Sequence, residues 1–132
     1  MNVLNLKKGL PSHNEAEQCA LGAVLLEPAL AIPHVLGYLT SEDFYQPAHK
    51  AIFEAMLATH RAGVAIDPIT LCDTLKNKDL QSVGGFSYIG WLSEAIPTAA
   101  NVKYYAKILR RETERRKTIL KCADDIESAY VD

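Results

Sequence analysis

Apolar positions recur every three to four residues along almost the whole chain. After Pro11 they fall at Cys19, Leu21, Val24 and Leu25, a helical stripe running to about residue 27. Ser12, with Glu15 three residues later, has capping-box spacing. The Ser12 hydroxyl is placed to accept from the Glu15 N–H, and the Glu15 carboxylate to reach back. Pro28 suits the first turn of a second helix, which Pro33 leaves short or kinked. Thr40, Ser41, Glu42 and Asp43 read as a polar turn. Pro47 then opens a third helix with the stripe Ile52, Phe53, Met56 and Leu57, stopped by Gly63. Asp67-Pro68 is an N-cap acid followed by proline at the first helical position. It starts a fourth helix that buries Ile69, Leu71, Cys72 and Leu75.

Residues 86–95 predict a fifth helix, closed by Pro97. From Pro97 or Thr98 the pattern Val102, Tyr105, Leu109 begins a last helix, and Ile119, Leu120, Ala123 and Ile126 resume it. The intervening RRETERRKT, residues 110–118, holds no large apolar residue. The pairs Arg110–Glu114 and Glu112–Arg116 at four-residue spacing carry the helix through it. No strand alternation is present. The expected fold is all-α: a compact orthogonal head of about five helices (residues 11–97) behind a flexible tail (1–10), with a long C-terminal helical arm (98–132).

A chain of 132 residues is one domain by size, and no apolar run is long enough to span a membrane. The start lacks a signal-peptide core, and three scattered cysteines without a CxxC read as reduced, so a cytoplasmic protein is expected. The net charge of −2 conceals a sharp partition. Residues 103–121 hold eight Lys and Arg against two Glu, whereas residues 1–102 hold six against ten, and residues 122–132 hold four acids alone.

That partition makes the basic segment the main candidate for binding. Three readings stand open for it: a solvated face with ion pairs, a protein-docking surface, or a nucleic-acid contact. Aromatic residues do not interleave with its cations, while Tyr104 and Tyr105 beside it favour docking, since Tyr and Arg are enriched at interfaces. Gly84-Gly85 lacks the lysine and the preceding strand of a phosphate loop and reads as a tight turn. Histidines 13, 34, 49 and 60 show no metal-ligand spacing and read as structural. The carboxylate pairs Glu15/Glu17 and Asp124/Asp125 read as helix-end charges on solvated faces. No catalytic, cofactor or metal site is expected.

The motifs together resemble the N-terminal domain of the DnaB-type bacterial replicative DNA helicases. The residues that carry the resemblance are Pro11 with Glu15-Ala16-Glu17-Gln18 and Leu21-Gly22; Asp43-Phe44-Tyr45 with His49 and Ile52-Phe53; Asp67, Thr70 and Leu71; Val83-Gly84-Gly85 with Tyr88; and Pro97-Thr98-Ala99-Ala100-Asn101-Val102 with Tyr104-Tyr105-Ala106. Five motifs in order, from Leu10 to about Leu120, make it specific. The resemblance implies a non-catalytic domain whose long helix is the first arm of a helical hairpin. In such helicases the hairpins pair between subunits into a collar on a hexameric ring, which recruits primase and a loader. ATP and magnesium chemistry and DNA translocation belong to a C-terminal RecA-like domain. The expected partner-facing residues are Glu15, Tyr88, Tyr104, Tyr105, Ile108, Arg111, Arg115 and Ile119, with Tyr88 open also to a core role. The alternative function is a stand-alone DNA-binding module using the basic helix 103–121.

Overall fold

The computed structural model describes residues 9–76 and 79–131; the expected N-terminal tail falls almost entirely outside the described residues. Six α-helices and no strand occur among them: α1 (Asn14–Leu26), α2 (Pro28–Val35), α3 (Pro47–Arg61), α4 (Pro68–Leu75), α5 (Gly85–Glu94) and α6 (Val102–Ala129), with a 3-10 turn at Ser41–Asp43. The all-α expectation holds, five shorter helices preceding one long one.

Helix α1 is the hub. It packs against α2, α3, α5 and α6, and its residues from Ala20 to Leu25 are all buried. Small side chains permit this. A Cβ at Gly22 would stand 2.6 Å from the Leu92 carbonyl oxygen, so the contact between α1 and α5 needs glycine there. Around α1 the core is filled by Leu21, Val24, Phe44, Ile52, Phe53, Met56, Leu71, Ile89, Leu92 and Leu109, all without solvent contact. Phe44 and Phe53 pack with ring centroids 4.9 Å apart.

Two predicted helix starts are corrected. Helix α1 begins at Asn14, not behind Ser12: His13 is the N-cap, and its Nδ1 accepts from the Ala16 N–H at 3.1 Å. An imidazole nitrogen thereby supplies the acceptor assigned to Ser12, and Glu15 stands exposed in the first turn. The long helix begins at Val102, not at Pro97 or Thr98. The Thr98 hydroxyl accepts from the Ala100 N–H at 3.1 Å, and this local bond turns the chain before the helical ladder can begin. Ile69, expected to be buried, is 72% exposed on α4.

The other punctuation follows the chemistry. Pro33 lies inside α2, which is only eight residues long. Asp67 caps α4 reciprocally: the Thr70 N–H donates to Asp67 Oδ1 at 2.8 Å, and the Asp67 N–H donates to Thr70 Oγ1 at 3.0 Å. The glycine pair is the expected turn, with φ of 109° at Gly84 and 73° at Gly85. A Cβ on Gly84 would also meet Tyr88 Cβ at 2.7 Å, so the turn and the seating of Tyr88 depend on the same residue.

Helix α6 has 28 residues and is about 42 Å long. Val102, Ala106, Leu109, Thr113 and Arg116 face the head at alternating spacings of four and three. Past Arg116 only Ala123 is buried, while Ile126, Tyr130 and Val131 are exposed. The helix starts as a core element and leaves the head as an arm.

The caps make the first expectation. Asp67→Ala should cost about 1 kcal/mol in urea unfolding, whereas Ser12→Ala, at an exposed residue outside the cap, should change stability by less than about 0.5 kcal/mol.

Candidate partner-docking surfaces

The root of the arm is held by polar contacts on a buried carboxylate. Asp43 is 1% exposed. It accepts from the Thr40 N–H at 2.8 Å and from the Thr113 hydroxyl at 2.6 Å. Arg110 Nε lies 3.2 Å away, an ion-pair contact without hydrogen-bond alignment. The same guanidinium donates to the Tyr38 carbonyl at 2.7 Å and stands 4.9 Å from the Tyr38 ring. One turn and a half later Arg116 donates to the carbonyls of Pro11 at 2.9 Å and Glu42 at 3.0 Å, over the Tyr45 ring.

These contacts correct the predicted ladder of ion pairs. Arg110 and Arg116 turn toward the head instead of pairing with Glu114 and Glu112, because buried acceptors on the head offer better-desolvated partners than a solvated helix face. Glu112 is itself buried, accepting from Arg111 at 3.2 Å and from Arg115 at 3.2 Å. Lys117 bonds Glu42 at 3.1 Å, a hydrogen bond that raises its pKa above the ordinary lysine value, and Lys121 pairs with Asp125. Six of the eight cations are therefore engaged within the chain. Among the described residues, Lys103 and Lys107 make no ion pair.

Beyond the clamp runs a groove of about 440 Å3, lined by Pro11, Arg111, Glu114, Arg115, Thr118 and Ile119. It brings together three of the eight expected partner-facing residues: Arg111, Arg115 and Ile119. Tyr105 and Ile108 lie earlier on the arm, half-buried against the core, and Tyr104 there is 62% exposed. Glu15 is exposed in the first turn of α1 and lines no groove described here.

Tyr88 belongs to a second groove of about 410 Å3, with Asn14, Gln18, Gln46, His49, Ser82 and Gly84. Its hydroxyl lies 2.6 Å from His49 Nε2 and accepts from Gln18 Nε2 at 3.2 Å. His49 Nδ1 is 2.8 Å from Glu17 Oε1. The Glu17 carboxylate also accepts from the backbone N–H groups of Tyr45 at 2.8 Å and Gln46 at 3.3 Å, at the N-terminus of α3. Glu17 is 1% exposed, so its reading as a solvated helix-end charge is wrong. A signal existed: Glu17 shares a helix face with Leu21 and Val24, and an acid on an apolar stripe needs buried donors. Burial pushes the Tyr88 phenol above its ordinary pKa; the Gln18 bond opposes the shift and the Glu17 charge adds to it. Burial likewise raises the thiols of Cys19 and Cys72. No group of three metal-ligating side chains gathers among the described residues.

Comparison with known proteins gives one answer. Residues 9–111 match the model of the DnaB-like helicase N terminal domain. The replicative DNA helicase DnaB of Geobacillus stearothermophilus is 40% identical over 121 residues, which is 91% of this chain and 26% of that protein. The replicative DNA helicase DnaC of Bacillus subtilis is 40% identical over 116 residues, 86% of this chain and 25% of its own length. The chain thus spans about a quarter of the length of these two relatives. Among solved structures, the N-terminal domain of DnaB helicase from Mycobacterium tuberculosis superposes with a TM-score of 0.86 at 34% identity, over 92% of this chain and 84% of that one. A DnaB-like replicative helicase, described with its interactions with primase, superposes with a TM-score of 0.78 at 28% identity, over 91% of this chain and 28% of that one.

Two outcomes follow from the buried networks. Asp43→Ala removes the acceptor of the Thr40 N–H, one of the two acceptors of the Thr113 hydroxyl and the counter-charge beside Arg110, and should destabilise the fold by about 3 kcal/mol in denaturant unfolding. The raised Tyr88 pKa means that the fold favours the neutral phenol. Its contribution is intact below about pH 10 and lost as the pH rises above that. The melting temperature should therefore fall more steeply above about pH 10 in the wild type than in Tyr88→Phe, whose residue 88 cannot ionise.

Proposed function

The chain belongs to the DnaB-like helicase N-terminal domain family, and from that premise we propose that it is a non-catalytic collar domain of a hexameric replicative DNA helicase. Its arm pairs with other subunits, and its exposed faces dock the C-terminal domain of primase and a helicase loader. ATP and magnesium chemistry belongs to a RecA-like domain of such a helicase. The domain works in the cytoplasm, where the replication fork is. No helix among the described residues is long and apolar enough to cross a membrane.

One observation supports this reading above the others. The arm is fixed at its root by the Asp43 and Arg116 contacts and then carries apolar residues, half-buried Ile119 and exposed Ile126, away from the head. An isolated helix of this composition gains nothing by holding those side chains in water. A second helix laid along them would bury them, and the arm of another subunit supplies one.

The alternative, a DNA-binding module on the basic helix 103–121, has less support. Arg110 and Arg116 point into the head, and Arg111 and Arg115 share the Glu112 carboxylate. Phosphate binding would have to break those contacts, and at 0.15 M salt the remaining attraction is screened over about 8 Å.

Light scattering tests the proposal. The chain alone should self-associate with rising concentration, and mixing it with a primase C-terminal domain should give a heavier complex. Ile119→Ala should weaken that complex by about tenfold, or about 1.4 kcal/mol, with native helicity retained. Duplex DNA binding should be negligible at physiological salt. A chain that stays monomeric and ignores primase, or that binds duplex DNA at low micromolar concentration, would overturn the proposal.

A further inference from the structure

The bonds from Glu17 through His49 to Tyr88 continue outward to a third ring. The Tyr88 ring is nearly parallel to His49, at 12° with centroids 5.9 Å apart, and nearly parallel to Trp91, at 13° and 5.8 Å. His49 is 2% exposed, Tyr88 is half-buried, and Trp91 is 49% exposed. The ladder therefore runs from a buried carboxylate to the chain's single tryptophan on the surface.

The hydrogens along this ladder can be assigned. The Glu17 carboxylate accepts two backbone N–H groups, so it acts as an acceptor toward His49 as well, and Nδ1 donates to it. An uncharged imidazole donating from Nδ1 has Nε2 as an acceptor, which takes the Tyr88 O–H at 2.6 Å. Gln18 donates to the phenol oxygen. The Tyr88 hydroxyl is thus engaged inside the fold by His49 and Gln18. What α5 presents outward on this ladder is the indole of Trp91, beside a ring whose hydroxyl is hydrogen-bonded to two other helices. A large aromatic side chain already held in place loses little freedom when a partner covers it.

The groove beside the ladder narrows the choice of partner. Among the described residues its polar lining is Asn14, Gln18, Gln46, Ser82 and Tyr88 around His49, with no lysine, arginine or carboxylate. A nucleic-acid strand stacked on an aromatic needs cations for its phosphates, and this lining offers none. Amides and hydroxyls suit the uncharged hydrogen-bonding groups of a polypeptide.

Resting on the primase-docking reading above, we propose that Trp91 is an anchor contact of that partner surface and that His49, acting through Tyr88, is its positioning residue. The occupant is a segment of the primase C-terminal domain. It lays an apolar side chain on the indole and uncharged polar groups along the amide-lined groove. Tyr88 then contributes to docking by holding Trp91, not by donating its hydroxyl.

Fluorescence titration of the chain with a primase C-terminal domain tests this, because Trp91 is the reporter at the contact; the primase domain's own tryptophans are replaced or subtracted. Trp91 emission should change on binding. Trp91→Ala, at an exposed position, should weaken binding measured by calorimetry about tenfold or more with the melting curve unchanged. His49→Phe should weaken binding and alter the free-state emission, while His49→Gln, which keeps an acceptor near Nε2 for the Tyr88 O–H, should restore much of both. Raising salt should leave the loss caused by Trp91→Ala unchanged, since an indole contact carries no charge. Primase binding that is unaffected by Trp91→Ala, or that leaves the indole emission unmoved, overturns the proposal while leaving the docking function standing. Absence of any primase binding to the wild-type chain overturns both. Should His49→Phe fail to fold, Trp91→Ala and the emission change decide.

Discussion

The segment 40–46 satisfies only part of its own polar groups, and the architecture is arranged around that constraint. Its Asp43 carboxylate needs donors in a place without water, and its Tyr45 and Gln46 N–H groups need acceptors at the start of α3. Helix α6 supplies Thr113 and Arg110 to the first, and helix α1 supplies Glu17 to the second. Each buried carboxylate would be costly alone. Surrounded by several donors, each fixes the relative placement of elements far apart in the chain. Apolar packing around α1 accounts for the favourable burial, but it tolerates sliding more readily than hydrogen bonds do. The polar contacts therefore set where α6 leaves the head, and that exit point fixes which of its faces are free.

This division explains which features were legible in the sequence. Helix periodicity is local, so α3, α4 and α5 stand within a residue or two of their predicted bounds, and the Gly84-Gly85 turn is where the glycine pair required it. Caps were legible where the acceptor was a common one, as at Asp67, and missed where an imidazole took the role, as at His13. The buried acids and guanidiniums were not legible. Glu17 meets its partners 28 to 32 residues away, and Asp43 and Arg116 meet their distant partners 67 to 105 residues away. Four-residue spacing along α6 offered plausible local partners for the same charges, and nothing within the helix reveals that better-buried acceptors compete for them. Ile69 misled for a related reason: one apolar position in a short helix carries too little periodic signal to assign a face.

The candidate surface was legible in part. Arg111, Arg115 and Ile119 do share a groove, as residues at i, i+4 and i+8 on one helix must. Tyr88 is at a groove as well, yet its surroundings were invisible, since its partners Gln18 and His49 come from two other helices. The hydroxyl of this partner-facing candidate is engaged within the fold by His49 and Gln18. That shifts attention from its hydroxyl to the ring beside it.

The charge partition along the arm takes on a different meaning once Glu112 is seen to be buried. A cluster of free cations would recognise any polyanion, with strength set mostly by salt. Here Arg111 and Arg115 are held on one carboxylate at the edge of an apolar groove. Their guanidiniums lose less freedom on binding than flexible ones would, and part of their charge is already compensated. Such groups favour orientation over strength: they reject a partner presenting cations and align one presenting an acid, while Ile119 between the turns contributes the apolar burial. The acidic end of the same helix, Asp124, Asp125 and Glu127, carries the complementary sign. Two arms laid antiparallel would therefore meet with opposite charges facing across a shared apolar centre near Ile119, whereas a parallel pairing would set like against like. For arms that pair as proposed, the charges left over from the Lys121–Asp125 pair would favour the antiparallel direction.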